Sequence, residues 1–118
     1  DDLDSRDFTI KLDPGLLYRA FFNIFINAVQ SMKNGGDITI TIKEENKNYH
    51  IHIRDTGEGI SKKNINKIFN PFFTTKDKGS GLGLPIVKKI LEGHNGTIDI
   101  KSEVGKGTSV FITLPLKS

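Results

Sequence analysis

The sequence contains no cysteine and no tryptophan among its 118 residues. Without cysteine the chain forms no disulfide bond and no thiolate metal site, which is compatible with a reducing compartment. No apolar run reaches the ~20 residues that a membrane-spanning helix needs, and no signal peptide is visible. We therefore expect a cytoplasmic domain without direct membrane contact, which other domains of a full-length protein could still tether to a membrane.

A strong excess of one charge is also missing. The chain has 17 Lys and Arg against 14 Asp and Glu, and its formal net charge is +3. Basic residues are interspersed with acidic ones, so nothing requires a nucleic-acid partner. A mild positive balance suits a polyphosphate ligand, although such a balance more often reflects a solvated surface.

The length and the hydrophobic fraction of 36% fit one compact domain over residues 1–118 with a single core. Residues 1–7 form a polar lead-in, and the chain does not start with methionine. We interpret the chain as a fragment excised from a longer protein.

Hydrophobic periodicity predicts two main helices. Apolar residues recur every three or four positions from Pro14 to Lys33, which indicates a long amphipathic helix. A second helix is predicted from Leu84 to Gly93, with Pro85 in its first turn, where a missing N–H does no harm. A short helical piece is predicted near Lys62–Ile68.

Alternating apolar and polar residues predict the strands. These lie around Phe8–Leu12, Ile38–Ile42, Tyr49–Ile53, Ile98–Ile100 and Val110–Leu114. The polar turn Glu44–Asn48 joins two of them in a hairpin, and Val104–Thr108 reads as a glycine turn. We predict an α/β two-layer sandwich, with a mixed, largely antiparallel sheet covered on one face by helices.

A polar stripe accompanies the apolar face of the first helix. It consists of Arg19, Asn23, Asn27 and either Gln30 or Ser31, at spacings of three or four residues. Asparagine is a mediocre helix former, so two of them one turn apart favour a function over a merely solvated face. An amide oxygen is a hard ligand that suits Mg²⁺. On this evidence alone the two interpretations stay balanced.

The segment Asp55–Ile60 directly follows a predicted strand. Asp55 has the same parity as Ile53, so its carboxylate should point to the apolar side, which is costly unless hydrogen bonds satisfy it. One interpretation is a turn aspartate that accepts from nearby backbone N–H groups. The other is a binding pocket, since Gly57 and Gly59 allow a flat ligand to approach the backbone closely.

Glycines at alternate positions open the second helix. Backbone N–H groups and the helix dipole converge there, which suits phosphate. The spacing does not match the dinucleotide fingerprint, and Gly105–Thr108 is not a P-loop. Upstream, Phe72 and Phe73 either anchor a flap or belong to the core, and possible phosphate donors are Thr74, Thr75, Lys76 and Lys78.

Together and in this order, these segments resemble the ATP-binding catalytic domain of sensor histidine kinases, in the superfamily that includes gyrase and the Hsp90 chaperones. The similarity runs from about Leu12 to Leu116. Its motifs are the N box Asn23–Ala28, the first glycine box Asp55–Gly59, the F box Phe69–Phe73, the second glycine box Gly79–Leu84 and the terminal Gly105–Thr108. The amino-acid sequences of these motifs are most similar to those of nitrogen-regulation and sporulation-type kinases.

The resemblance implies a Bergerat-type ATP-binding fold and a role for each motif. Asn27 would hold Mg²⁺, Asp55 would accept from the adenine amino group, and Asn23 and Asn27 would be the catalytic pair. Gln30 stands where many relatives carry a basic residue. The expected contacts to ATP are Asn27, Gln30, Asp55, Gly57, Gly59, Ile60, Phe72, Thr74, Thr75, Lys76, Gly79, Ser80, Gly81, Leu82, Gly83, Leu84 and Thr108, with the flap 74–80 closing over the phosphates.

The resemblance also implies the reaction and the partners. ATP with Mg²⁺ would donate its γ-phosphoryl group to a histidine on a separate dimerisation domain of the parent kinase, for relay to a response regulator. The isolated domain would be a monomer and the full-length kinase a homodimer. No histidine of this chain is followed by an acidic residue on a helix, so we interpret His50, His52 and His94 as surface residues.

Two other functions are open alternatives. One is an ATP-driven conformational switch of the gyrase or chaperone kind, and the other is a nucleotide-binding module without transfer activity. Asn23 argues against the first, because the hydrolytic relatives place glutamate one turn before the metal-binding asparagine, and an amide cannot act as a general base.

Overall fold

The computed structural model describes residues 14–69 and 83–115. It contains three helices and four strands within those ranges: α1 (Pro14–Ser31), β1 (Ile38–Glu45), β2 (Asn48–Asp55), α2 (Lys62–Ile65), α3 (Gly83–Gly93), β3 (Thr97–Glu103) and β4 (Gly107–Pro115). The predicted strand at Phe8–Leu12 and the predicted flap lie outside the described residues. None of the described helices is long and apolar enough to cross a membrane.

The four strands form one sheet in the order β1-β2-β4-β3, and each neighbouring pair is antiparallel. The helices lie on one side of it, so the predicted two-layer sandwich is confirmed. The predicted mixed sheet differs in one respect: between residues 38 and 115, the described strands include no parallel pair.

The hairpin between β1 and β2 is confirmed, and its turn is shorter than predicted. Glu45 pairs with Asn48, which leaves a two-residue loop. Asn46 and Lys47 in that loop have φ angles of 55° and 64°. Two successive residues with positive φ form the turn whose twist matches that of an antiparallel hairpin.

The core lies between the inner face of the sheet and the helices α1 and α3. Its apolar side chains come from the predicted periodic positions, because period 3.6 in a helix and period 2 in a strand each place one face inward. The buried set includes Leu17, Ala20, Ile24, Ile53, Val87, Leu91, Val110, Ile112 and Leu114.

The glycine turn predicted at Val104–Thr108 is shorter in the structure, because β4 already begins at Gly107. Thr108 is therefore a strand residue, directly opposite Asp55 on β2 and Ser102 on β3. This register places three polar side chains in one cross-strand row at the end of the sheet. The helical piece near Lys62 is also shorter than predicted, ending at Ile65.

Candidate functional site

Asp55 is the last residue of β2, and its side chain is only 6% exposed. Its Oδ1 accepts hydrogen bonds from the backbone N–H groups of Gly57, at 2.8 Å, and Thr108, at 3.2 Å. The predicted inward orientation and the turn contact are therefore both present. Within residues 14–69 and 83–115 these two bonds go to Oδ1, so Oδ2 is the oxygen that this carboxylate can offer to a ligand.

The loop after Asp55 is held against the end of α1 by close backbone contact. Glu58 N donates to the carbonyl of Ser31, the last residue of α1, at 3.0 Å. A Cβ on Gly57 would lie 2.0 Å from Ser31 Oγ and 2.9 Å from Ser31 O. A residue with a side chain would not fit there without a shift, so glycine is what allows α1 and the loop to meet.

The second glycine of this loop, Gly59, has a φ of 81°, and a Cβ on it would lie 2.2 Å from the carbonyl oxygen of Glu103. The loop thereby touches the β3–β4 turn, where Gly105 N donates to Glu58 O at 2.9 Å. Two segments far apart in sequence thus meet just beyond the end of β2, where Asp55 lies.

This contact gives a stability prediction with an internal control. Gly59 and Gly105 have nearly the same φ, 81° and 83°, but a Cβ on Gly105 meets nothing within 4 Å. Gly105→Ala should cost about 1–2 kcal/mol for the left-handed backbone alone. Gly59→Ala should cost about 1–2 kcal/mol more, because it also forces an overpacked contact with backbone. Urea unfolding of both variants measures the difference, and equal losses would contradict the crowding seen at Gly59.

Ser102 completes the row of polar side chains, and it is not among the site residues that the sequence motifs predict. Its Oγ accepts from Ile60 N at 2.7 Å, donates to Gly107 O at 2.9 Å and lies 2.7 Å from Thr108 Oγ1. Strand parity could have predicted its role, because Ser102 shares the inward face of β3 with Ile100 and an inward hydroxyl needs hydrogen-bond partners.

Asn23 and Asn27 are half-buried on α1, about two turns and one turn before Ser31, respectively. They extend the helical face that meets the glycine loop. Gln30 is exposed. Arg19, near the start of the helix, lies instead in a groove between α1 and α3, which is also lined by Leu16, Ile86, Lys89, Ile90, Gly93 and His94. In the predicted stripe, Asn23 and Asn27 therefore lie on the face towards the glycine loop, whereas Arg19 lies in the groove between α1 and α3.

The predicted phosphate segment is described only at its end. Gly83 begins α3, as the glycine pattern indicated, and Leu84 is half-buried and packs against the core. The predicted contacts that lie outside the described residues, and stay predictions, are Phe72, Thr74, Thr75, Lys76, Gly79, Ser80, Gly81 and Leu82.

The model of the family described as "Histidine kinase-, DNA gyrase B-, and HSP90-like ATPase" matches residues 12–118. Among curated proteins, the chain is 44% identical over 105 residues to sporulation kinase A of Bacillus subtilis, covering 89% of this chain and 17% of that protein. It is 39% identical over 107 residues to the sensor histidine kinase ZraS of Escherichia coli, covering 91% of this chain and 23% of that protein. The chain thus spans about a fifth of the length of these relatives.

Two solved structures show the same fold. The nucleotide-free catalytic domain of the histidine kinase ThkA is 31% identical, with a TM-score of 0.79 over 90% of this chain and 70% of that one. Full-length ShkA in complex with AMPPNP is 27% identical, with a TM-score of 0.81 over 95% of this chain and 24% of that one. The resemblance to the catalytic domains of sensor histidine kinases is confirmed, and the chain belongs to the family of histidine kinase-, DNA gyrase B- and HSP90-like ATPases.

Proposed function

We propose that this chain binds ATP with Mg²⁺ and donates the γ-phosphoryl group to a histidine on a separate dimerisation domain of a sensor kinase, for relay to a response regulator. The observation that carries the proposal is the buried carboxylate of Asp55, which is 6% exposed and keeps Oδ2 for a ligand. A buried carboxylate needs donors, and the exocyclic amino group of adenine is one.

The surroundings of Asp55 fit a flat base. Gly57 and Gly59 lack side chains where the backbone passes close to Ser31 and Glu103, so the loop can form one flat wall of a cleft. Thr108 stands directly opposite Asp55 in the β2–β4 register and offers a hydroxyl next to the carboxylate. These features support adenine as the base.

The helices supply groups for phosphates and metal. The first N–H groups of α3, from Gly83 onward, have no partner within the helix and carry the positive end of its dipole, which favours phosphate. The Asn27 side chain offers an amide oxygen, which suits Mg²⁺. When bound, Mg²⁺ would neutralise charge on the phosphate oxygens.

The phosphoacceptor is expected from another domain. His50 and His52 alternate along β2 with inward residues and face away from Asp55, and His52 stacks on Phe111 with ring centroids 4.4 Å apart. His94 lies at the end of α3, with Nδ1 2.9 Å from the carbonyl of Ile90. These are all the histidines of the chain, and none lies beside Asp55. The proposal therefore includes a histidine-bearing dimerisation domain, a homodimeric parent kinase and a monomeric isolated domain.

The test has a binding step and a transfer step. Calorimetric titration of the domain with ADP and with an ATP analogue, in Mg²⁺, should show saturable binding. Radiolabelled ATP should then label a supplied histidine domain from a related sensor kinase. Binding without transfer to any such partner would favour the alternative of a nucleotide-binding module, and absence of binding would reject the proposal.

The metal role of Asn27 has its own expected result. Mg²⁺ should tighten the binding of an ATP analogue about tenfold less in Asn27→Ala than in the unmodified domain, because the variant loses one contact to a charged ligand. The measurement compares titrations in Mg²⁺ and in a chelator. Asn34→Ala is the control, since it removes an exposed amide just beyond the end of the same helix and outside the predicted ATP contacts. An unchanged Mg²⁺ effect in Asn27→Ala would remove Asn27 from the metal site.

A further inference from the structure

The hydroxyl of Ser102, on β3, links this strand to β4 and to the glycine loop that follows Asp55. It contacts the N–H of Ile60 in the glycine loop, at 2.7 Å, and the carbonyl of Gly107 at the start of β4, at 2.9 Å. It also lies 2.7 Å from the hydroxyl of Thr108, its cross-strand partner. A serine hydroxyl has one proton and two lone pairs, so these contacts use all of its hydrogen-bonding capacity.

The positions of the protons follow from this arrangement. Ile60 N can only donate and the Gly107 carbonyl can only accept, so Ser102 accepts from the first and gives its single proton to the second. The hydrogen between the two hydroxyls must then come from Thr108. Thr108 Oγ1 is left with its lone pairs, and therefore acts as an acceptor towards any other partner.

The direction of this bond matters because Thr108 stands opposite Asp55. The two residues are paired in the β2–β4 register, and Thr108 N donates to Asp55 Oδ1 at 3.2 Å. Directly opposed side chains in a sheet have Cβ atoms about 4.5–5.5 Å apart. A group that approaches both side chains from the inner face of the sheet meets the carboxylate oxygen and the hydroxyl oxygen together, and both accept.

We infer that Ser102 is a positioning residue that makes the base pocket selective for a 6-amino over a 6-oxo purine. It does so by holding the Thr108 hydroxyl as an acceptor beside Asp55. An amino group donates to both oxygens, whereas a 6-oxo group would place a third acceptor against them. This inference rests on the proposed function, because it requires that a purine nucleotide occupies the Asp55 cleft.

A matched pair of substitutions tests it. Ser102→Thr keeps the hydroxyl. Ser102→Val matches the shape of Ser102→Thr but lacks the hydroxyl, and both side chains suit a strand. Titrations with ADP and with IDP in Mg²⁺ give the ratio of their affinities; adenine has a 6-amino group and an N1 acceptor, whereas hypoxanthine has a 6-oxo group and an N1–H. The unmodified domain and Ser102→Thr should share a high ratio. Ser102→Val should lower it by about tenfold, because the freed Thr108 proton can donate to the 6-oxo group.

A second variant keeps the test decisive if Ser102→Val does not fold. Thr108→Val removes the second acceptor directly, and it should lower the ADP-to-IDP ratio by a similar factor. Thermal unfolding of each variant separates lost stability from lost selectivity. An unchanged ratio in either folded valine variant would overturn the inference. If the unmodified domain bound neither nucleotide, the proposed function itself would fail.

Discussion

Replacing Asp55 with asparagine is expected to weaken ATP or ADP binding by roughly ten- to a hundredfold, the equivalent of ~1.5–3 kcal/mol for a charge-assisted hydrogen bond. The change is nearly isosteric. An asparagine oxygen can still accept from Gly57 N and Thr108 N, the two bonds that now reach Oδ1. An NH₂ group then replaces Oδ2, so a donor faces the amino group of adenine where an acceptor stood.

The control for this variant is Asp99→Asn. Asp99 is an exposed residue of β3 whose Oδ1 also accepts from a backbone N–H, that of Ile100, at 3.0 Å. The same chemical change there should leave nucleotide binding unaltered. Calorimetric titration of both variants, with unfolding curves to verify the fold, gives the comparison. Binding by Asp55→Asn within a factor of two of the unmodified domain would remove Asp55 from the site.

Local patterns in the sequence account for most of the fold. The 3.6-residue period of α1 and the two-residue period of β2 each identify a buried face, and burial of that face determines how the element packs. The end of β2 is a clear example: parity alone places Asp55 inward, and it is buried in the structure. The start of β4 could not be predicted in this way, because a glycine is typical of a turn and Gly107 has a φ of 115°.

The site was predictable where one motif carries it and unpredictable where it depends on long-range pairing. The carboxylate and the glycines lie in one short segment, and their types alone suggest a pocket. The link from Thr108 to Asp55 joins residues 53 positions apart and depends on the register of β2 with β4. The role of Ser102 depends further on the register of β3, which no local pattern specifies.

Asn23 is expected to decide between transfer and hydrolysis. It is half-buried on α1, one helical turn before Asn27 and on the same helical face. In the proposed site this position is close to the terminal phosphate. A carboxylate there could take a proton from an attacking water, but an amide has no useful basicity. Water is therefore a poor nucleophile in this site, and the phosphoryl group should remain on ATP until an imidazole attacks.

The expected result is slow phosphate release by the isolated domain together with labelling of a supplied histidine domain. General-base help contributes about 10²–10⁴-fold, so Asn23→Glu should raise phosphate release towards that range, whereas Asn23→Gln, equal in length but not basic, should not. Radiolabelled transfer and phosphate release are measured side by side for all three proteins. Rapid ATP turnover by the unmodified domain, without transfer to any histidine-bearing partner, would instead place the chain with the ATP-driven conformational switches.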